Sequence, residues 1–369
     1  MRDTKYFITG GGTGGHIYPA IAVIRELVKY GIKKDTQIFY LGNKKNLEYQ
    51  IANSEGLNFL DYKVCGMPRK FSFGIFKFAF ELFFATLKAL FYALRYRPKA
   101  IFATGGYVCA PILFAAKMLK IPYILHDCDA HPGVVSRTFA KGAKAVSLSF
   151  NSAKKMVNSE NVYIFGNPIR ADFSSLTKTQ ARDLMNIRRQ KVVLIMGGSL
   201  GAKKINDATF KLVENLKDNN DIQIIWQTGK KNYDEVMKKL KYVPENLIIA
   251  PYFENMALPL ISADVVISRA GSLSLSEICA AGVPSILVPF PYAAADHQRK
   301  NAKSMVDLGA SVYLDDNDCN EETLWQKFSE LFFDEQKLSN MVACAKENAK
   351  YDASKNICEL IIKTANREV

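Results

Sequence analysis

The chain has 369 residues, 49% hydrophobic and 23% charged: more than one hydrophobic core usually organises, and too apolar for disorder. Its seven cysteines (Cys65, Cys109, Cys128, Cys279, Cys319, Cys344 and Cys358) are widely spaced without a Cys-x-x-Cys pair. That argues against a disulfide framework and a zinc site and predicts a reducing compartment. The net charge of +13 is uneven, because residues 1–165 carry 23 Lys and Arg against 10 Asp and Glu, whereas residues 166–369 carry 26 of each.

The N-terminal half is therefore expected to face something anionic, with nucleic acid and a lipid surface both qualifying. Met1 to Thr9 run straight into a strand, so no signal peptide is expected and the protein is read as cytosolic. Tyr6–Thr9 is predicted as a strand, Ile17–Tyr30 as a helix with Ile21, Ile24, Leu27 and Val28 at helical spacing, and Gln37–Leu41 as the next strand. Further strands are predicted at Ala100–Thr104, Tyr123–Leu125 and Ala145–Ser149. Alternation of this kind implies parallel βαβ units. Gly166-Asn167-Pro168 breaks the pattern, and a helical segment follows at Thr177–Ile187. Alternation then restarts with Val192–Met196, Ile222–Trp226, Leu247–Ala250, Val265–Ser268 and Ser285–Val288, and Ala353–Ala365 reads as a terminal helix. The predicted class is α/β, with two Rossmann-like, doubly wound domains.

Four motifs carry chemistry. Gly10-Gly11-Gly12-Thr13-Gly14-Gly15-His16 leaves the first strand and enters a helix, where close-approaching backbone N–H groups suit a phosphate or a developing oxyanion. It also fits the dinucleotide pattern Gly-x-Gly-x-x-Gly, but the second strand ends Leu41-Gly42-Asn43-Lys44, without the acid that a dinucleotide ribose requires. Met196-Gly197-Gly198-Ser199-Leu200-Gly201-Ala202 is a second turn of the same kind, and the two together suggest a ligand held between domains. Ser268-Arg269-Ala270-Gly271-Ser272-Leu273-Ser274-Leu275-Ser276-Glu277 opens another helix, whose glutamate could serve a ribose diol or simply the helix dipole. Asp296-His297-Gln298-Arg299-Lys300-Asn301 gathers sugar-competent side chains that could equally form a helix cap.

These motifs, with Thr104-Gly105-Gly106-Tyr107 and Gly166-Asn167-Pro168-Ile169-Arg170, stand in an order that resembles the peptidoglycan N-acetylglucosaminyltransferases of glycosyltransferase family 28, from about Lys5 to the last helix. The resemblance implies a GT-B fold and inverting, metal-independent transfer of N-acetylglucosamine from UDP-N-acetylglucosamine to the lipid-linked muramoyl acceptor, lipid I. No cofactor, metal or nucleic acid is expected. It implies an acceptor- and membrane-binding domain over 1–165, a UDP-sugar domain over 166–350, and a helix, 351–369, packing back toward the first. By matched motif, Glu277 would hold the ribose and Gln298 the sugar, with Asp296 or His297 near it. Ser199, Arg170 and the turn of Ser272, Leu273, Ser274, Leu275 and Ser276 would surround the diphosphate. Phe253 would contact the uracil, and Thr13, Gly14 and Gly15 would close over the donor. His16 is the expected general base or acceptor-positioning residue, set against the plainer reading of a helix-capping histidine.

Where the family shows His-Glu-x-Asn, this chain has His126-Asp127-Cys128-Asp129. The carboxylate is one methylene shorter, and Asp129, counted with the substrate-binding residues, is an acceptor-only group that the nearby His131 could complement. The aromatic, basic stretch from Arg69 to Arg97 is interrupted by Lys77, Glu81 and Lys88. It is expected to lie on an anionic membrane rather than span it, which places the protein peripherally on the cytoplasmic face; the plain alternative is a core helix with a basic edge. Competing readings are a GT-B glycolipid synthase acting on diacylglycerol and a UDP-N-acetylglucosamine 2-epimerase.

Overall fold

A computed structural model describes residues 4–68, 74–198 and 201–368. The chain forms two compact units, one of Met1–Ile169 with Asp352–Val369 and one of Arg170–Tyr351.

The first unit is built on seven strands: β1 (Tyr6–Thr9), β2 (Ile38–Gly42), β3 (Asn58–Asp61), β4 (Ala100–Ala103), β5 (Tyr123–Asp127), β6 (Ala145–Leu148) and β7 (Val162–Ile164). Their spatial order is β3-β2-β1-β4-β5-β6-β7 and every pairing is parallel. Tyr6 lies in register with Ile38 on one side and Ala100 on the other, so the winding reverses at β1. Strands buried on both faces read as continuous apolar runs, which is why β1, β2, β4 and β6 were visible in the sequence. One face is covered by the helices Gly74–Tyr96 and Ala110–Leu119, the other by Gly14–Lys29. The C-terminal helix Ala353–Asn366 completes that second face by packing Ile357, Cys358, Leu360 and Ile361 against the same core. Burying each of Ile357, Leu360 and Ile361 contributes about 1.5–3 kcal/mol.

The second unit repeats the plan with β8 (Lys191–Met196), β9 (Ile222–Gln227), β10 (Leu247–Ala250), β11 (Val265–Ser268), β12 (Ser285–Leu287) and β13 (Ser311–Tyr313), in the order β10-β9-β8-β11-β12-β13. Its winding reverses at β8, so each glycine-rich turn leaves the strand at which its own sheet changes direction. In doubly wound sheets that is where ligands bind. Strands β3, β7 and β13 were not anticipated: they are edge strands of three or four residues with partly exposed positions, and they lack the apolar run that marks an interior strand.

The helix Gly74–Tyr96 has an inverted pattern. Its inward face is Glu81, Ala85, Ala89 and Ala93, at four-residue spacing, while Phe76, Phe80, Phe83, Phe84, Leu87, Phe91 and Leu94 are exposed, Phe76 by 69%. The small inner residues let this helix approach Ala110–Leu119 closely, where Phe114 and Met118 are also exposed. No helix among the described residues is long and apolar enough to cross a membrane.

Candidate active site

The first glycine-rich turn is tied down on every side. Gly11 donates its N–H to the Gly105 carbonyl (3.3 Å), the Tyr40 hydroxyl donates to the Gly10 carbonyl (2.6 Å), and the Thr104 hydroxyl donates to the His16 carbonyl (2.5 Å). The helix starts at Gly14 with Thr13 as an extended N-cap. Gly14 and Gly15 thus open the helix, and their own N–H groups have no acceptor within it. Gly106 sits at φ +86, and a methyl group there would stand 2.2 Å from the Gly11 carbonyl oxygen, so the Thr104–Tyr107 turn requires glycine at that point.

His16 lies in that first turn, with Nδ1 3.8 Å from the Cys128 thiol. The neighbouring loop is organised by Asp127, whose two oxygens accept N–H bonds from Asp129 (3.1 Å) and Gly133 (2.9 Å). Burial is the leading influence on this carboxyl and raises its pKa. Asp127, Cys128 and Asp129 bring potential ligand atoms within 4.8 Å of one another, but Asp127 already spends both oxygens on backbone N–H groups. The shorter carboxylate thus holds the loop that carries Asp129.

Behind this loop His126 is fully buried, with Nδ1 3.1 Å from the Ser147 hydroxyl and Nε2 3.1 Å from Asn167 Oδ1. Burial pushes its pKa down to about 4, so it is a neutral imidazole. An acceptor at Nε2 assigns the proton there and leaves Nδ1 to accept from Ser147. Asn167 also accepts from Ser149 (2.7 Å) and donates to the Cys128 carbonyl (3.4 Å), which joins the Gly166-Asn167-Pro168 junction to the His126–Asp129 loop.

In the second unit the helix Ser272–Ala281 begins after an extended Gly271 and ends on Gly282 in the left-handed region, whose N–H bonds the Cys279 carbonyl (2.9 Å). Ser272 and Leu275 are buried, whereas Leu273, Ser274 and Ser276 are partly exposed on the first turns. Glu277 is only 9% exposed. Its carboxyl is pushed up to about 7 by burial, against the pull of Arg170, whose Nε lies 4.0 Å from Oε1. Arg170 in turn donates from Nη1 to the Glu254 carbonyl (3.2 Å) and to Asn255 Oδ1 (3.4 Å), so it bridges the Phe253 loop and the Glu277 helix.

Gln227, at the end of β9, is a site residue that the sequence reading missed. Buried, it accepts the Phe253 N–H (2.8 Å) and donates to the Gly198 carbonyl (3.4 Å), coupling the second glycine-rich turn to the Phe253 loop. The available signal was an amide closing the apolar run Ile222-Gln223-Ile224-Ile225-Trp226. Gly198 stands at φ +80, with no atom of the described residues within 4 Å of where a Cβ would project. Ser199 lies outside the described residues. Gln298 accepts the Phe290 N–H (2.9 Å). Just before it, Ala295 and Asp296 both adopt left-handed conformations (φ +52 and +56).

Residues 6–148 match the glycosyltransferase family 28 N-terminal domain and residues 192–357 the family's C-terminal domain. A protein of Acetivibrio thermocellus is 36% identical over 97% of this chain and 97% of its own length; one of Thermoanaerobacter sp. is 37% identical over 97% and 99%. Both are named UDP-N-acetylglucosamine--N-acetylmuramyl-(pentapeptide) pyrophosphoryl-undecaprenol N-acetylglucosamine transferase. The crystal structure of Acinetobacter baumannii MurG superposes with a TM-score of 0.80 at 28% identity, covering 98% of this chain and 99% of that one. A UDP-GlcNAc 2-epimerase from Neisseria meningitidis, at 15% identity and a TM-score of 0.65, shares the fold alone. With the GT-B arrangement of two parallel-sheet units and relatives matched along almost their whole length, the chain belongs to glycosyltransferase family 28 and, within it, to the MurG family of N-acetylglucosamine transferases.

Proposed function

We propose that this protein transfers N-acetylglucosamine from UDP-N-acetylglucosamine to the muramoyl sugar of an undecaprenyl-diphosphate-linked acceptor, giving lipid II for peptidoglycan synthesis. The observation that carries the reading is the near-full-length match to relatives that bear this activity in their names.

In this reading the second unit holds the donor. Glu277 accepts the ribose hydroxyls, and the Phe253 loop receives the uracil. Arg170, the first turn of the Ser272–Ala281 helix and Ser199 meet the diphosphate, while Gln298 meets the sugar. The first unit holds the acceptor. His16 removes the acceptor hydroxyl proton as oxygen attacks the anomeric carbon on the face opposite UDP, which inverts that centre. Negative charge then grows on the departing diphosphate, where a guanidinium and helix N–H groups stabilise it without reorganising. The apolar face of Gly74–Tyr96, with Phe114 and Met118, rests on the anionic membrane surface that carries the acceptor, in keeping with the excess positive charge of residues 1–165. That would place the enzyme peripherally on the cytoplasmic face.

The assay pairs radiolabelled UDP-N-acetylglucosamine with a short-chain lipid I analogue, uses diacylglycerol as the control acceptor, and is run with and without a chelator. Transfer to the lipid I analogue, unaffected by chelation, is expected; transfer only to diacylglycerol would overturn the acceptor assignment. For the membrane face, the double variant F80E/F84E should no longer co-sediment with anionic liposomes while keeping its melting temperature, because both side chains are exposed. Equal co-sedimentation of variant and parent would remove that face from the contact.

A further inference from the structure

Glu48 is a buried acid with no part in the transfer chemistry described above, and its surroundings are unusual for a glutamate. It is 0% exposed, and its carboxylate sits beneath the first glycine-rich turn. One oxygen accepts the Gly12 N–H (3.4 Å). The other accepts the Asn43 N–H (3.2 Å) and the side-chain N–H of Asn46 (3.2 Å). Asn46 Nδ2 also donates to the Tyr107 hydroxyl (2.9 Å). The Tyr107 ring in turn lies under Gly12, where a methyl group would come within 3.3 Å of it. A methyl at Gly11 would be 2.8 Å from the Glu48 carboxyl carbon, so the turn is shaped around this acid.

A carboxylate can satisfy all three donors because both of its oxygens only accept, and such charge-assisted bonds are the stronger kind. By engaging the Gly12 N–H from below, Glu48 fixes which peptide groups of the turn point inward. Those of Thr13, Gly14 and Gly15 follow at the helix start.

We propose that Glu48 is a positioning residue for glycosyl transfer: its carboxylate locks the Gly10–His16 turn to Tyr107 through Asn46 and so sets where His16 and the helix-start N–H groups stand. The proposal rests on the functional reading of that turn given above.

The test uses the full-length E48Q variant. Each oxygen of Glu48 accepts at least one N–H, so the NH2 of a glutamine opposes a donor in either orientation, at almost unchanged volume. We expect kcat to fall about tenfold to a hundredfold, as when a hydrogen bond to a charged group is lost, with the KM for UDP-sugar within about twofold of the parent. Amide hydrogens of residues 10–16 should exchange about tenfold faster in the variant. Parental kcat together with parental exchange overturns the proposal. So does a fall in folded yield with kcat per folded molecule unchanged, which would make Glu48 a packing residue. Should E48Q not accumulate, N46A carries the test: it leaves Glu48 its two backbone donors and cuts the link to Tyr107, so kcat should fall about tenfold, and an unchanged kcat overturns the lock. The exchange measurement needs no substrate. A parent chain without N-acetylglucosamine transfer would therefore sink the proposed function and leave the exchange test of the lock intact.

Discussion

Each unit buries a glutamate on a helix that follows one of its central strands, and the two meet opposite electrostatic circumstances. Glu48 collects three N–H donors and is built into the turn above it. Glu277 is nearly as buried but has a guanidinium no nearer than 4.0 Å, and burial lifts its carboxyl to about 7. The contrast separates two uses of the same side chain. An acid whose lone pairs are filled by its own chain fixes a shape, whereas an acid left short of donors has capacity for hydroxyl groups brought by a ligand. Individual glycines differ in the same sense: a methyl at Gly106, beside the first turn, would meet the Gly11 carbonyl oxygen at 2.2 Å, while one at Gly198 would meet no described atom within 4 Å.

The largest effect expected from this division is on turnover. H16A should lower kcat by about a hundredfold to ten-thousandfold, the range of a general base, and leave UDP affinity measured by calorimetry near the parental value. Near-normal turnover would return His16 to helix capping and weaken the assignment of the first unit to the acceptor. A change of stability comes next. G106A places a methyl 2.2 Å from a carbonyl oxygen at φ +86 and should cost ~3 kcal/mol or more in urea unfolding. G198A, at φ +80 with no described neighbour within 4 Å, should cost only ~1 kcal/mol. Equal costs would erase the distinction between these two glycine positions.

Glu277 offers a test with a sign. Its folded carboxyl titrates at about 7, above the ordinary 4.5, so between these values the folded chain keeps a proton that the unfolded chain has released. Stability from this group is therefore fully present below about pH 4.5 and is lost as the pH rises toward 7, by at most ~3 kcal/mol. E277Q should abolish that slope and exceed the parent in stability at about pH 8, while binding UDP roughly tenfold more weakly. A variant that is less stable at about pH 8, or binds UDP as the parent does, would make Glu277 a structural acid like Glu48. The smallest expected change is the approximately twofold limit on the KM for UDP-sugar in E48Q, and a larger rise would blur the two roles.

Much of this was legible in the chain. Interior strands declared themselves as apolar runs, and the turns after β1 and β8 announced themselves through glycine. Edge strands β3, β7 and β13 did not, because half-exposed segments of three or four residues carry little pattern. Glu48 and Gln227 were invisible for a different reason. Each is a polar residue with a decisive partner tens of residues away, Gly12 for Glu48 and Phe253 for Gln227. Only the packed sheets bring those partners together. The helix Gly74–Tyr96 was legible as an aromatic, basic surface helix, but its inner face was not. Alanines at four-residue spacing mark its inner face once Ala110–Leu119 is seen against it.

The return of Ala353–Asn366 to the first unit has a consequence for how the molecule is made. The second unit is one uninterrupted stretch, Arg170–Tyr351, and can close as soon as it leaves the ribosome. The first unit is begun earlier yet finished later, because Ile357, Leu360 and Ile361 are synthesised only after the whole second unit has been laid down. During that interval one face of its sheet waits for the last of its cover, and nascent chains stalled within that window should be the species most readily captured by chaperones.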